Sequence, residues 1–183
     1  MRHGETPWNL EGRYQGHMNV HLNATGRRQA AEAAHTFARL EITQVITSDL
    51  SRAYETALLA MARRPTTPIY RQESLREWFL GEWEGRLLQD VATDLGLPPE
   101  TSPAYSRINP PGSETWDDFK QRINAALDSI LTSYTGQTLI VAHGFVFIAL
   151  TEILTGAPRD MCTNARPYLF KQTHTGWQLE DVV

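Results

Sequence analysis

The sequence predicts an α/β fold: a three-layer α/β/α sandwich built on a mostly parallel central sheet. Three observations carry that reading. Short apolar, β-branched runs alternate with helical stretches along the chain, the order that parallel strands need for their crossovers. Two of these runs, "TQVIT" and "TLIVA", give way at once to polar residues that open a helix. The stretch "ETWDDFKQRINAALDSILTSY" sets Trp116, Phe119, Ile123, Leu127 and Ile130 along one helical face, as a helix lying on a sheet requires.

Taken in order, residues 25–40 read as a helix, with alanines and Phe37 at helical spacing and Thr25 as its cap. Residues 43–47 read as a short buried strand, and 49–63 as the helix that follows it directly. "PIYR", at 68–71, is a second short strand. From Arg86 to Thr115 the periodicity fails. A brief helical stretch gives way to Pro98, Pro99, Pro103, Pro110 and Pro111, which mark a loop. The long amphipathic helix covers 114–134, a buried strand 137–144, and a nearly all-apolar helix 145–154. Residues 167–181 suggest a closing hairpin around Thr175-Gly176. The expectation is one domain over 1–183, with 86–115 a small cap over the active site.

Composition narrows the partners. Hydrophobic content of 41% and charged content of 21% are ordinary for a globule. A net charge of −4 argues against a nucleic-acid binder, which would carry a basic face. A small anionic substrate stays open, because only the local field of a pocket matters to it. The longest apolar run, "LIVAHGFVFIAL", is too short to span a bilayer. The single cysteine, Cys162, excludes an internal disulfide, and with no secretory leader the expected location is cytoplasmic. A homodimer is left open.

In parallel sheets ligands bind beyond the carboxyl ends of the strands. "SDLSR", ending at Arg52, follows one predicted strand, and His143-Gly144 follows another. Each lies where the next helix can aim N–H groups and partial positive charge at an anion. Arg2-His3, in "MRHGETPWNL", would complete the group if a strand ran into it.

Five blocks carry a resemblance. "RHGETPWNLEGRYQG", "TSDLSRAYETA", "LREWFLGEWEG", "PPGSETWDDFKQR" and "IVAHGF" occur in this order across nearly the whole chain. They resemble successive signatures of the histidine phosphatase (phosphoglycerate mutase-like) superfamily. The resemblance implies that His3 takes a phosphoryl group on a ring nitrogen. Arg2, Arg52 and His143 would surround the phosphate, with Asn9 a further donor. Glu77 would protonate the leaving oxygen and then activate water, while Gln15, Gly16 and Gly144 would lie beside the substrate. The implied activity is hydrolysis of a small phosphomonoester, with neither metal nor cofactor.

That chemistry stands on its own grounds. Neutral imidazole is a good nucleophile near pH 7, its unperturbed pKa being ~6.5, provided one nitrogen is bare and the other is held as a donor. The phosphoryl transition state is loose, so positioning and charge stabilisation dominate. Two guanidinium forks suit its oxygens better than lysines would. Expelling an alkoxide needs a proton, which Glu77 supplies if apolar neighbours such as Trp78 and Phe79 raise its pKa.

Plainer readings compete at single positions. Glu82 and Glu84 are alternatives to Glu77, and spacing after "LR" favours Glu77. Trp8, Trp78, Trp83 and Trp116 read mainly as packing. Glu114 and Thr115 fit an active-site rim or a helix cap equally well. His17, His21, His35 and His174 show no metal-ligand spacing. A cysteine-phosphatase C-x₅-R loop is excluded, because Tyr168 stands where Cys162 would need its arginine, and there is no Walker A loop.

Two other functions remain. In the resemblance, mutases carry a longer insertion after the acid block, a longer tail and an asparagine two residues after the second histidine. Here that residue is Phe145, which favours hydrolysis. A non-catalytic relic that only binds phosphorylated ligands is the third reading, and an intact His3, Arg52, Glu77 and His143 speak against it. The resemblance also places an apolar central strand directly before the Arg-His pair, and nothing precedes Met1. The expectation is a sheet lacking its first, central strand, with the natural start upstream of Met1. Four or five buried strand side chains at ~1.5–3 kcal/mol each would rival a domain's whole stability of ~5–15 kcal/mol.

Overall fold

Residues Ile42–Ser48 are almost continuously buried, as a strand covered on both faces must be. They form β1, the middle strand of a parallel sheet in the order β2-β1-β3, with β2 at Ile69–Gln72 and β3 at Gln137–Val141. The computed structural model describes residues 1–102, 104 and 106–182. Pro103 and Tyr105 of the expected 86–115 cap, and Val183, lie outside the described residues.

The remaining elements are α1 (Pro7–Glu11), α2 (Ala24–Phe37), α3 (Ser51–Ala60), α4 (Leu88–Asp94), α5 (Trp116–Ser133), α6 (Gly144–Thr155), β4 (Tyr168–Thr173) and β5 (Gly176–Asp181). Period-2 alternation splits the sheet's side chains between two layers of helices. Val45, Leu139 and Val141 pack with Ala33 and Phe37 of α2 and Ala53 and Ala57 of α3. Ile46, one residue on, packs with Ala126 and Ile130 of α5. The α5 stripe then continues into a larger cluster with Trp78, Phe145, Val146 and Ala149, which explains why α6 is apolar nearly all round. The three-layer architecture is therefore present.

Some features differ from the sequence reading. α1 was not expected. Thr6 caps it, its side chain accepting from the Asn9 N–H, and Pro7 supplies the first helical residue. The closing hairpin forms at the expected residues, but β4 and β5 make a separate antiparallel pair rather than joining the parallel sheet. Among the described residues, no helix is long and apolar enough to cross a membrane.

The far edge of β3 determines what holds the chain start. The Ala142 N–H donates to Met1 O (3.0 Å), the His3 N–H donates to Ala142 O (2.9 Å), and the Ala165 N–H donates to Arg2 O (3.0 Å). Residues 1–3 thus run parallel to the end of β3, wedged between it and Asn164. Further back along the same edge, a cavity of about 570 Å³ separates β3 from β4, lined by Met1, Leu139, Val146, Leu150, Phe170 and Trp177 among others.

Candidate active site

His3 is fixed from both sides of its backbone. Besides the bond to Ala142, its carbonyl accepts from the Asn164 side-chain amide at 2.8 Å. The ring Nδ1 lies 2.7 Å from Gly4 O. A carbonyl can only accept, so Nδ1 carries the proton and Nε2 is the bare nitrogen. The loop behind it is tight. The Gly4 N–H donates to Thr56 Oγ1 (2.9 Å), and a Cβ on Gly4 would sit 2.4 Å from the Gly26 carbonyl oxygen, so only glycine fits.

Arg52, in the first turn of α3 just past β1, is 0% exposed. Its fork is held by two carbonyls, Nη1 donating to Met18 O and Nη2 to Gly16 O, each at 2.8 Å. Gly16 makes that possible at φ +48°, where a Cβ would also run into the Glu84 carboxylate. Burial pulls the Arg52 pKa down to about 10, against the opposing pull of Glu77. Arg2 donates from Nη1 to Cys162 O at 3.2 Å. His143 is the residue before α6, and its ring centroid lies 5.3 Å from that of His3.

Several polar atoms around His3 are left unpaired. Arg2 Nε, Arg52 Nε and both ring nitrogens of His143 are buried and have no hydrogen-bond partner among the described residues. Buried polar groups are rarely left unpaired, and several together around one bare imidazole nitrogen outline an oxyanion's place. Burial first, then the Arg52 charge, holds both histidines well below the usual imidazole pKa. Both rings are therefore neutral at pH 7.

Glu77 follows a 3₁₀ turn at Glu73–Leu75 and reaches the N-terminus of α6. Its Oε1 accepts from the Trp78 and Phe145 N–H groups, each at 3.1 Å. Burial raises its pKa, and Arg52 and these two N–H groups only partly oppose the rise. Behind it sits a brace that sequence reasoning missed. Arg122 of α5 donates to the carbonyls of Ser74 (2.8 Å), Arg76 (3.0 Å) and Glu77 (3.1 Å). It also pairs with both oxygens of Glu114, whose Oε1 accepts from the Phe79 N–H (2.9 Å). His17 Nε2 donates to Glu77 O at 2.8 Å.

A cavity of about 190 Å³ gathers Arg2, His3, Asn9, Gln15, Gly16, Arg52 and Glu77 on its wall. His143 and Gly144 are not on that wall. His143 packs against the His3 ring, centroid to centroid at 5.3 Å, and Gly144 is buried where a Cβ would meet Met161 Sδ at 2.8 Å. Asn9 and Gln15 both accept from Thr6, Asn9 Oδ1 from its N–H and Gln15 Oε1 from its hydroxyl, so α1 presents them together. Trp78, Trp83 and Trp116 are core residues, whereas Trp8 lines the cavity. Thr115 caps α5, and Glu114 serves the Arg122 brace. His21, His35 and His174 are exposed. Leu88 and Ser102 bring the 86–115 segment to the cavity wall.

The arrangement offers a bare imidazole nitrogen, a cationic surround and a carboxyl with a raised pKa, the parts of a phosphoryl-transfer site. The chain is 35% identical over 159 residues to phosphoglycerate mutase-like protein 4 of Arabidopsis thaliana, covering 83% of this chain and 68% of that protein. It is 32% identical over 171 residues to glucosyl-3-phosphoglycerate phosphatase of Mycolicibacterium vanbaalenii, covering 87% and 74%. The solved structure of a mycobacterial glucosyl-3-phosphoglycerate phosphatase in complex with VO3 superposes with a TM-score of 0.86 at 27% identity, over 98% of this chain and 94% of that one. The model of the histidine phosphatase superfamily, branch 1, matches residues 1–183, and the chain belongs to that family.

Proposed function

We propose that this protein hydrolyses a small phosphomonoester through a phosphohistidine at His3, with no metal. The observation that carries it is the bare Nε2 of His3 among buried donors that lack acceptors: Arg2 Nε, Arg52 Nε and His143. In the first step Nε2 attacks phosphorus, the bond from phosphorus to the leaving oxygen breaks, and Glu77 gives that oxygen its proton. In the second, Glu77 takes a proton from water as the water oxygen attacks phosphorus, and the nitrogen–phosphorus bond breaks. His3 returns to its neutral state and Glu77 to its protonated one. The two guanidiniums and His143 stabilise charge on the phosphoryl oxygens throughout.

Asn9, Gln15 and Gly16 shape the cavity, Gly144 and the start of α6 back it, and Leu88 and Ser102 close it from the 86–115 side. Among relatives, both mutase-like and phosphatase names occur. Phe145 favours hydrolysis here, since an apolar ring beside the acid offers nothing to hold a phosphorylated product for return transfer. The test is phosphate release from p-nitrophenyl phosphate by the purified full-length protein with a chelator present. Steady release supports the reading. Folded protein that binds vanadate yet releases no phosphate indicates a binding relic, and transfer to an added phosphoglycerate in place of water indicates a mutase.

A further inference from the structure

Beside the phosphate cavity lies a second one, of about 170 Å³, with Ala104, Arg107, Trp116, Phe145, Arg159 and Asp160 on its wall. Phe145 lines both cavities. Ser102 and Met161 border the first, while Ala104 and Asp160, from the same two segments, border the second. The two spaces therefore adjoin at Phe145, as the two ends of one substrate would need.

The second wall carries donors in search of an acceptor. Trp116 is 6% exposed, and its indole N–H is buried with no acceptor among the described residues. The Arg107 guanidinium lies over the Trp116 ring, 4.9 Å from its centroid, and one arm of it pairs with Glu152 at 2.7 Å. Lys120 holds the other Glu152 oxygen at 3.0 Å. Arg159 is fixed at its backbone, where its N–H donates to Thr151 Oγ1 (3.1 Å), and its guanidinium has no partner among the described residues. Asp160 is the one opposing charge on the wall. Counting Glu152 and Lys120 behind it, three cations face two carboxylates. An unpaired guanidinium and a buried, unsatisfied N–H from residues of one cavity wall suit an oxyanion bound by fork and indole together.

We infer that this second cavity is the leaving-group subsite, and that it selects phosphomonoesters whose leaving group carries a second anionic group, a carboxylate or another phosphate. The inference rests on the hydrolase reading for which group departs, but not for the binding itself. The test compares 3-phosphoglycerate with glycerol 3-phosphate, which share a phosphate and chain length and differ in a terminal carboxylate. Wild-type kcat/KM is expected to favour the carboxylate by about tenfold, mostly through KM. Arg159→Gln, at an exposed position, and Trp116→Phe, which keeps an aromatic ring and removes the N–H, are each expected to bring that ratio toward one. Glycerol 1,3-bisphosphate separates the anions, since preference for it over 3-phosphoglycerate assigns a phosphate to the subsite.

A wild-type ratio near one, or variants that lower both substrates by the same factor, overturns the subsite while the hydrolase stands. If no phosphomonoester turns over, the hydrolase reading fails alone. The subsite is then read from equilibrium binding of the same compounds, where a ratio near one again overturns it.

Discussion

The two cavities on either side of Phe145 are built from different material. At the phosphate end, His3, Arg52 and His143 are each at most 2% exposed, and each is held by or next to a strand end. At the other end, Arg107, Arg159 and Asp160 are exposed and stand on loops. A core scaffold fixes the chemistry, where small displacements cost rate. Loops carry the selectivity, where exchange of a side chain costs little stability.

The sharpest way to break this contrast is at His3. His3→Asn is expected to remove turnover, lowering kcat by ~10⁴-fold or more on every substrate, as loss of a nucleophile does. Equal residual activity on any phosphomonoester would deny His3 its place. Glu77 lines the phosphate cavity, and Glu77→Gln keeps its acceptor oxygen toward the Phe145 N–H. On alkyl phosphates kcat is expected to fall ~10²–10⁴-fold, and on p-nitrophenyl phosphate, whose leaving group needs no proton, much less in the first step. Equal losses on both in the single-turnover rate of the first step would make Glu77 structural only.

Arg122 tests whether the brace belongs to the phosphate end. Arg122→Ala is expected to lower kcat by about tenfold with KM little changed, and to cost ~2 kcal/mol of stability. Arg122→Lys, which keeps the pairing with Glu114 but loses the fork, should recover more of the stability than of kcat. Urea unfolding beside steady-state kinetics separates the two effects.

The smallest effect concerns pH. Burial lowers the pKa of His3, His143 and His17 in the folded state. As pH falls below about 6.5, the unfolded chain takes up protons at these rings while the folded one does not. Stability is therefore full above that value and declines as pH drops toward the folded pKa values. Each unit of depression is worth ~1.4 kcal/mol once pH lies below both. Tm is expected to fall from about pH 7 to pH 5, and to fall less in His143→Asn. Glu77, with its raised pKa, opposes this trend, because the folded protein takes up its proton at a higher pH than the unfolded chain does. A Tm that rises on acidification would contradict the burial of neutral histidines.

The same contrast explains what could be read from the sequence. Strand and helix periodicities around residues 42–60 and 116–155 are regular, so the fold and the chemistry at their junctions were legible. The burial of Arg52 depends on carbonyls of Gly16 and Met18, far away in sequence, which no local pattern shows. α1 is five residues long, too short for periodicity, and its trace was the pair of Thr6 as cap and Pro7 behind it. The Arg122 brace binds carbonyls of three residues more than 40 positions away, which no local pattern records. Arg107 and Arg159 come from separate loops, and tertiary structure alone brings them to one cavity.

The claim on which the rest depends is that His3 Nε2 bonds to phosphorus. Alkaline quench of the protein during turnover of p-nitrophenyl phosphate, followed by peptide mass spectrometry, tests it directly, since phosphohistidine survives base. A phosphoryl group on the peptide holding His3, enriched in Glu77→Gln and absent from His3→Asn, is the expected result. Continued turnover with no phosphoryl group on His3, or with one on His143, would contradict the account.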